Sequence, residues 1–231
     1  MKFFFVIAII LIGNVMAVNE CQRLNIITIE DLIDWRELRR FVKQYEKIQN
    51  DKEPLTIIIR SEGGQSEPTN DILKILDNHS GIKLCYIHEY ALSAGTVIAF
   101  HCDKIFMEKN SMLSPIDPWI RFSQFDVPHS VLEDFAPLEL DSETYEYVMQ
   151  LYHESQKDLQ TIFSIKKLNT QQQNEFKQLF FDINVPHNTI YSPSELVHLG
   201  LNITIGLHSD IYDIINDRFI PRIDFVNMLK N

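Results

Sequence analysis

The segment LTIIIRSEGGQSEPTNDILKILDNHSGIKLCYIHEYALSAGTVIAFHCDKIFM, Leu55–Met107, decides the fold. It begins with a β-branched apolar run, Leu55–Ile59, of the kind found in strands buried on both faces. A glycine turn, a helix, a second strand at Lys83–His88, a run of small residues and a third strand at Lys104–Met107 follow. Strands that alternate with helices over short connections predict right-handed crossovers and a mainly parallel sheet. The predicted class is therefore α/β.

Helices are predicted on both sides of this segment. Before it, apolar residues recur at helical spacing over residues 34–49, with charge on the opposite face. After it, the same spacing predicts a long helix from Asp141, and a further helix opens at Thr170-Gln-Gln-Gln173 as a capping box. The second half of the chain is thus expected to be mainly helical.

The chain is expected to form one domain over residues 18–231. Its hydrophobic content of 45%, with 11% aromatics, supplies a substantial core. Near the end, Ser192-Pro-Ser-Glu195 combines an N-cap, a first-turn proline and a reciprocal glutamate, and Gly200 follows as a stop signal. This pattern predicts a short helix, and no linker divides the chain before it.

Residues 1–17 have the pattern of a signal peptide. Lys2 is followed by an apolar run of about 11 residues and by small residues placed for cleavage after Ala17. An uncleaved membrane anchor is the alternative, but Asn14 interrupts the run before the roughly 20 residues that a spanning helix needs. We therefore expect a secretory or extracytoplasmic location, with membrane attachment only if residues 1–17 are uncleaved.

Charge and cysteine content limit the classes of partner and cofactor that we expect. The formal net charge of −11 repels phosphate backbones, so nucleic acid is not expected as a partner. Cys21, Cys85 and Cys102 are too sparse for a disulfide framework and lack the spacing of a zinc site. Buried thiols are expected, with a bridge between Cys85 and Cys102 as the alternative. We expect no metal and no other cofactor.

Two turns carry the candidate chemistry. Ser61-Glu-Gly-Gly64 follows one strand, and Ala91-Leu-Ser-Ala-Gly95 follows the next. Adjacent parallel strands bring their carboxyl ends side by side, where α/β proteins build their sites. Glycines can present backbone N–H groups outward, and a serine at the first turn of a helix lies in a positive potential. The two turns together offer a hydroxyl nucleophile and an oxyanion hole for acyl transfer.

Close packing accounts for the same residues equally well. Small side chains over residues 91–99 would let a helix approach the sheet, and Gly63-Gly64 would then be a tight turn only. The diglycine lacks the Lys-Ser/Thr of a phosphate-binding loop. The residue pattern by itself favours neither packing nor catalysis.

Four segments, in order, resemble the serine dehydrogenase proteinase family of the Clp protease and crotonase superfamily, related to signal peptide peptidase A. They are SEGG (61–64), YALSAGTVIAF (90–100), DKIFMEKNSMLSPIDP (103–118) and PHNTIYSPSELVHLGLNI (186–203). The resemblance implies a ClpP/crotonase-like fold of repeated strand–strand–helix units with a C-terminal helical part. It also implies that Ser93 is the nucleophile of a serine endopeptidase and that the backbone N–H groups of Gly64 and Ala94 form the oxyanion hole. A peptide or protein substrate and a homo-oligomer are implied as well.

The chain departs from this family at the base that would activate Ser93. Relatives supply a lysine or a histidine–aspartate pair, and in this branch a lysine is expected at the place of Glu133, but residues 110–156 contain none. A glutamate acts as a base only if desolvation raises its pKa toward neutrality. His129 is the better substitute, because imidazole titrates at roughly pH 6.5. His187, in the PHNTI segment, is a third candidate, to which we assign a structural role.

Three functions agree with these residues. The first is a serine endopeptidase with an altered base, which the retained SEGG and ALSAG segments favour. The second is a pseudoprotease that keeps the fold but has lost proton transfer and acts as a binding or assembly subunit, which the missing lysine favours. The third, a crotonase-like acyl-CoA enzyme, is the weakest, because Ser93 fits the peptidase pattern and a translocated protein rarely meets CoA. The sequence thus predicts a hydrolase of the serine peptidase type.

Overall fold

A computed structural model describes most of the chain. The described residues are 25–116, 119–121, 126–128, 141–182 and 184–218. The predicted signal peptide, residues 1–17, lies outside them. Within the described ranges no helix is both long and apolar enough to cross a membrane.

One six-stranded sheet forms the centre of the described chain. Its order is β1-β2-β3-β4-β8, with β5 paired to β3, and every pairing in it is parallel. Two further strands, β6 and β7, form a separate antiparallel pair. The strands are β1 (Asn25–Ile33), β2 (Leu55–Gly64), β3 (Lys83–Ala91), β4 (Lys104–Met107), β5 (Met112–Leu113), β6 (Trp119–Arg121), β7 (Asp126–Pro128) and β8 (Ile203–Ile205). The predicted α/β class with a mainly parallel sheet is confirmed.

Helices cover both faces of this sheet. They are α1 (Trp35–Tyr45), α2 (Ser66–Asn78), α3 (Ala94–Phe100), α4 (Ser142–Lys166), α5 (Thr170–Phe180), α6 (Pro193–Leu196) and α7 (Ser209–Arg218). The larger core joins one face of the sheet to side chains of α1 to α6. On the other face, Ile211 and Ile215 of α7 pack against Ile58 and Tyr86. Burial on two faces explains the continuous apolar run at the start of β2.

Strand β2 is longer than its apolar run predicts. The apolar residues stop at Ile59, but pairing with β3 resumes at Ser61 and Ala91 after a register shift. A second irregularity, in β1, precedes the pairing of Ile33 with Gly64. The SEGG segment is therefore the end of a strand, and the ladder holds its backbone in place.

Both predicted helix starts are found, and the N-cap of α5 lies one residue earlier than predicted. Ser192 and Glu195 form the predicted capping box of α6, and Gly200 adopts the left-handed conformation with φ 72°. At α5 the box consists of Asn169 and Gln172. The expected pair, one residue later, was wrong, because the asparagine carboxamide caps the helix as well as a threonine hydroxyl does.

Cys85 and Cys102 form a disulfide, so the expectation of free buried thiols was wrong for this pair. Helix α3 returns the chain beside the beginning of β3, where Asp103 N–H donates to Lys83 O at 2.9 Å. This return brings the Cα atoms of the two cysteines to 5.8 Å, within the range for a bridge. The bond ties β3 to the end of α3, and Cys21 lies outside the described residues.

Candidate active site

Ser93 occupies the sharp turn between β3 and α3. Its backbone has φ 49° and ψ −117°, a conformation that residues other than glycine rarely adopt. Such strain persists only where the surrounding structure holds it, and it concentrates at functional sites. In α/β-hydrolases a comparable strand-to-helix turn exposes the nucleophilic hydroxyl. Ser93 is half-buried, so this residue is not sealed in the core.

The diglycine at the end of β2 lies against this turn. Gly63 has φ +96°, and a Cβ added there would be 2.7 Å from Leu92 O and 2.8 Å from Ser93 Cβ. A Cβ added at Gly64 would overlap Ile33 O. Both positions therefore require glycine, and the end of β2 is in direct contact with the turn that follows β3.

The amides of the two glycines have different orientations. Gly63 N–H donates to the buried Ser61 Oγ at 3.1 Å. Gln65 N–H donates to Ile33 O at 2.9 Å, and Ile33 is the register partner of Gly64. Because successive residues of a paired strand direct their amides to opposite sides, Gly64 N–H is directed away from β1 and toward the β3 side. Of the two glycines, Gly64 has the amide on the side where Ser93 lies.

The backbone N–H groups on either side of Ala94 also have acceptors within the fold. Ser93 N–H donates to Ser114 Oγ at 2.7 Å, and Gly95 N–H donates to Leu92 O at 2.8 Å. Ala94 lies between them as the first residue of α3, and the first N–H groups of a helix have no acceptor within it. A Cβ added at Gly63 would be 3.1 Å from Ala94 N. The Ala94 amide therefore borders the diglycine.

His187 contacts the Ser93 hydroxyl from a distant part of the chain. Its Nε2 lies 3.2 Å from Ser93 Oγ, across a sequence separation of 94 residues. Burial lowers the pKa of His187 below its usual value of 6.5, because desolvation disfavours the imidazolium. The ring is neutral at pH 7 and can accept a proton there.

The segment that carries His187 is fixed at both ends to one short piece of chain. At its start, Ile116 N–H donates to Phe180 O at 2.8 Å. At its end, Leu113 and Tyr191 form an antiparallel bridge, with N–H···O distances of 3.1 and 2.9 Å. These contacts place the histidine opposite the Ser93 turn.

Some of the predicted site residues lie together in the structure, and others lie outside the described residues. Ser93 and Ala94 lie at the start of α3, beside the end of β2 that carries Gly64. His129 and Glu133, the two base candidates ranked first, lie outside the described residues. The contact with Ser93 Oγ is made by His187, for which the sequence predicted a structural role. The signal that pointed to it was its place in the PHNTI segment.

Lys166 is the buried basic group at the opposite end of α3. Its Nζ donates to Cys102 O, just beyond the last turn of that helix. Burial lowers the pKa of Lys166 to about 7. The seven residues of α3 span about 10 Å, so this ammonium lies far outside hydrogen-bond reach of the hydroxyl at the first turn. Lys166 therefore does not take the place of the lysine base expected from the resemblance.

Comparison with known proteins agrees with this architecture. A family model described as ClpP-like SDH-type serine proteinase matches residues 6–221. An uncharacterized protein of Methanocaldococcus jannaschii is 26% identical over 191 residues, which cover 80% of this chain and 63% of that protein. A second uncharacterized protein of the same organism is 36% identical over 67 residues, which cover 29% of this chain and 23% of that protein.

The chain thus spans less than two thirds of the length of these curated relatives. The family match, in contrast, extends over nearly the whole sequence, including the diglycine strand end, the Ser93 turn and the His187 segment. It agrees with the parallel α/β sheet that the structure contains. The resemblance found in the four sequence segments is confirmed: the chain belongs to the ClpP-like SDH-type serine proteinase family.

Proposed function

We propose that this chain is a serine endopeptidase in which Ser93 attacks the peptide carbonyl and His187 is the general base. The observation that carries the proposal is the 3.2 Å contact between His187 Nε2 and Ser93 Oγ. That distance is within the reach over which a side chain can take a proton from a hydroxyl. The lowered pKa of His187 supports the same role, because the unprotonated ring is the form that accepts.

The reaction then proceeds through an acyl-enzyme. As Ser93 Oγ bonds to the carbonyl carbon, its proton moves to His187 Nε2 and the carbonyl oxygen becomes an oxyanion. The N–H groups of Gly64 and Ala94 would donate to that oxygen. When the C–N bond breaks, the imidazolium returns the proton to the leaving amine. Water, deprotonated by the same ring, then attacks the ester carbonyl. As the bond from that carbon to Ser93 Oγ breaks, the ring returns the proton to Oγ, which releases the acid and restores the Ser93 hydroxyl.

The surroundings of Ser93 suit a chain-like substrate. Glu62, Gly64 and Gln65 are exposed, and they lie at the strand end that borders the Ser93 turn. An extended peptide could therefore approach the hydroxyl along the end of β2 without displacing core residues. This access supports a peptide or protein as the substrate.

Two further expectations belong to the proposal. We propose that residues 1–17 direct the chain into a secretory or extracytoplasmic compartment and that the mature protein forms a homo-oligomer. Mass measurement of the protein secreted from an expressing cell would show whether cleavage occurs after Ala17. Light scattering of the same sample would give the number of copies in the assembly.

Labelling with a fluorophosphonate probe tests the chemistry, because the probe reacts covalently with activated serines. We expect Ser93→Ala to abolish labelling and His187→Ala to slow it by about 10²- to 10⁴-fold. His198→Ala is the matched control, because this exposed histidine lies in the same region of the chain. It should label at the wild-type rate.

The same assay separates the competing assignments. A folded wild-type protein that does not label would support the pseudoprotease instead. If His129→Ala or Glu133→Ala loses labelling while His187→Ala retains it, the nucleophile stands and the assignment of the base is wrong.

A further inference from the structure

The hydroxyl of Ser114 is buried directly behind the Ser93 turn. Ser114 is 2% exposed and lies one residue beyond β5. Its Oγ accepts the Ser93 N–H at 2.7 Å and donates to Pro115 O at 3.2 Å. Both hydrogen-bonding functions of this hydroxyl are therefore used, and one of them fixes the peptide unit between Leu92 and Ser93.

A second buried hydroxyl links Ser114 to the end of β3. Ser114 N–H donates to Thr96 Oγ1 at 3.2 Å, and Thr96 Oγ1 donates to Ala91 O at 2.6 Å. Thr96 is fully buried in the first turn of α3. The strand end, the Ser93 turn and the helix start are thus connected through one closed set of hydrogen bonds.

The same piece of chain holds the His187 segment. Leu113, which precedes Ser114, pairs with Tyr191, and Ile116 N–H donates to Phe180 O. Residues 113–116 therefore contact the nucleophile turn on one side and both ends of the histidine segment on the other. The relative position of Ser93 and His187 depends on this segment.

We propose that Ser114 is a positioning residue that holds Ser93 in its strained conformation and at its distance from His187. The inference rests on the proposed function of Ser93 as nucleophile. It carries a consequence for the oxyanion hole, because the Ser93 amide already donates to Ser114 Oγ. In the chymotrypsin arrangement the amide of the nucleophilic serine is itself an oxyanion donor. Here the hole has to be built from other amides, those of Gly64 and Ala94.

Ser114→Ala tests the proposal through the rate of fluorophosphonate labelling. Removal of the hydroxyl leaves the Ser93 N–H without its acceptor, so the turn can relax away from φ 49°. Displacement of the hydroxyl by a fraction of an ångström should slow the covalent step by roughly 10- to 100-fold. The probe concentration for half-maximal rate should stay unchanged, because Ser114 lies behind the turn and does not touch the probe.

Ser111→Ala is the matched control for loss of a buried hydroxyl. Ser111 is 1% exposed in the same stretch of chain, and its Oγ donates to Glu108 O at 2.9 Å without reaching the Ser93 turn. Ser111→Ala should therefore lower the unfolding midpoint to a similar extent and label at the wild-type rate.

Thr96 supplies a second pair of variants. Thr96→Val keeps the side-chain shape but removes the hydroxyl that joins Ser114 to Ala91, so labelling should slow. Thr96→Ser restores the hydroxyl and should restore the rate. If Thr96 had only a structural role, the labelling rate of each variant would instead change in proportion to its unfolding midpoint.

The outcomes distinguish this inference from the proposed function. If the folded wild type is not labelled, the proposed function fails and this inference fails with it. If the wild type is labelled and Ser114→Ala reacts as fast as Ser111→Ala, the role of Ser114 is wrong and the nucleophile stands. If Ser114→Ala does not fold, the Thr96 pair decides, and equal rates for its two variants overturn the inference.

Discussion

Gly63 and Ser93 approach so closely that no side chain fits between them: a Cβ added at Gly63 would be 2.8 Å from Ser93 Cβ. The contact joins the end of β2 to the turn that follows β3. Parallel pairing brings these ends together, with Ser61 opposite Ala91. The glycine is thus required both by its positive φ and by its neighbour, and the two causes can be separated by mutation.

Gly63→Ala is expected to destabilise the protein more than replacement of a glycine whose only requirement is its positive φ. Gly206 is the control, because it has a similar φ of +108° but nothing within 4 Å of an added Cβ. Gly206→Ala should lower the free energy of unfolding by about 1 kcal/mol. Gly63→Ala should exceed that by at least about 1 kcal/mol, because the methyl overpacks the Ser93 turn. Urea denaturation of both variants measures the difference, and equal losses would contradict the steric argument.

The labelling rate of Ser93 should follow the protonation of His187. Because burial lowers the pKa of this histidine below 6.5, the unprotonated base persists at pH values where an exposed imidazole is already charged. The rate should therefore be constant near neutrality and fall only as the pH decreases below about 6.5. Rates measured across this range, with circular dichroism to monitor folding, give the midpoint. A midpoint above 6.5 would argue against a buried, neutral base.

Lys166 should make stability depend on pH in the alkaline range. Its pKa is about 7 in the folded chain against 10.5 as the ordinary value, so between these values the unfolded chain binds the extra proton. The free energy of unfolding should therefore rise with pH between them, and this contribution is lost as the pH falls through about 7. Lys166→Met should remove the rise.

The exposed Lys43 provides the control for that comparison, since Lys43→Met removes a lysine without changing the core. Lys166→Met also removes the donor to Cys102 O, but that loss shifts the whole curve and leaves its slope unaffected. Parallel pH profiles for the wild type and Lys166→Met would show that the buried amine does not titrate as its surroundings require.

The bond between Cys85 and Cys102 should stabilise the fold without taking part in the chemistry. It closes a loop with a sequence separation of 17, for which chain entropy gives about 3 kcal/mol. The double variant Cys85→Ala/Cys102→Ala should lose about that much and should still label at Ser93. Both residues are fully buried, so reductant alone should have no effect until urea opens the chain. Equal urea midpoints with and without reductant would contradict a contribution from the bond.

Prediction from the sequence succeeded where a local pattern has one physical meaning. The run at Leu55–Ile59 predicted a strand buried on both faces, and its alternation with helices predicted the parallel sheet. Ser192 with Glu195 predicted a helix start. It was less accurate where two neighbouring residues satisfy the same rule. Asn169 and Thr170 can both cap a helix, and the structure begins α5 after the asparagine.

The sequence by itself determined the parallel α/β architecture, the glycine pair and the serine at the turn. Burial and backbone conformation restrict which residue types fit at each position, so these features can be recognised from short stretches of sequence. Only the tertiary structure decided which side chains reach that serine. His187 is 94 residues away from Ser93 in the chain, and Ser114 contacts Ser93 through a single hydroxyl. Contacts of this kind arise from the packing of whole segments, here residues 113–116 against the Ser93 turn and the His187 segment, and no local spacing encodes them.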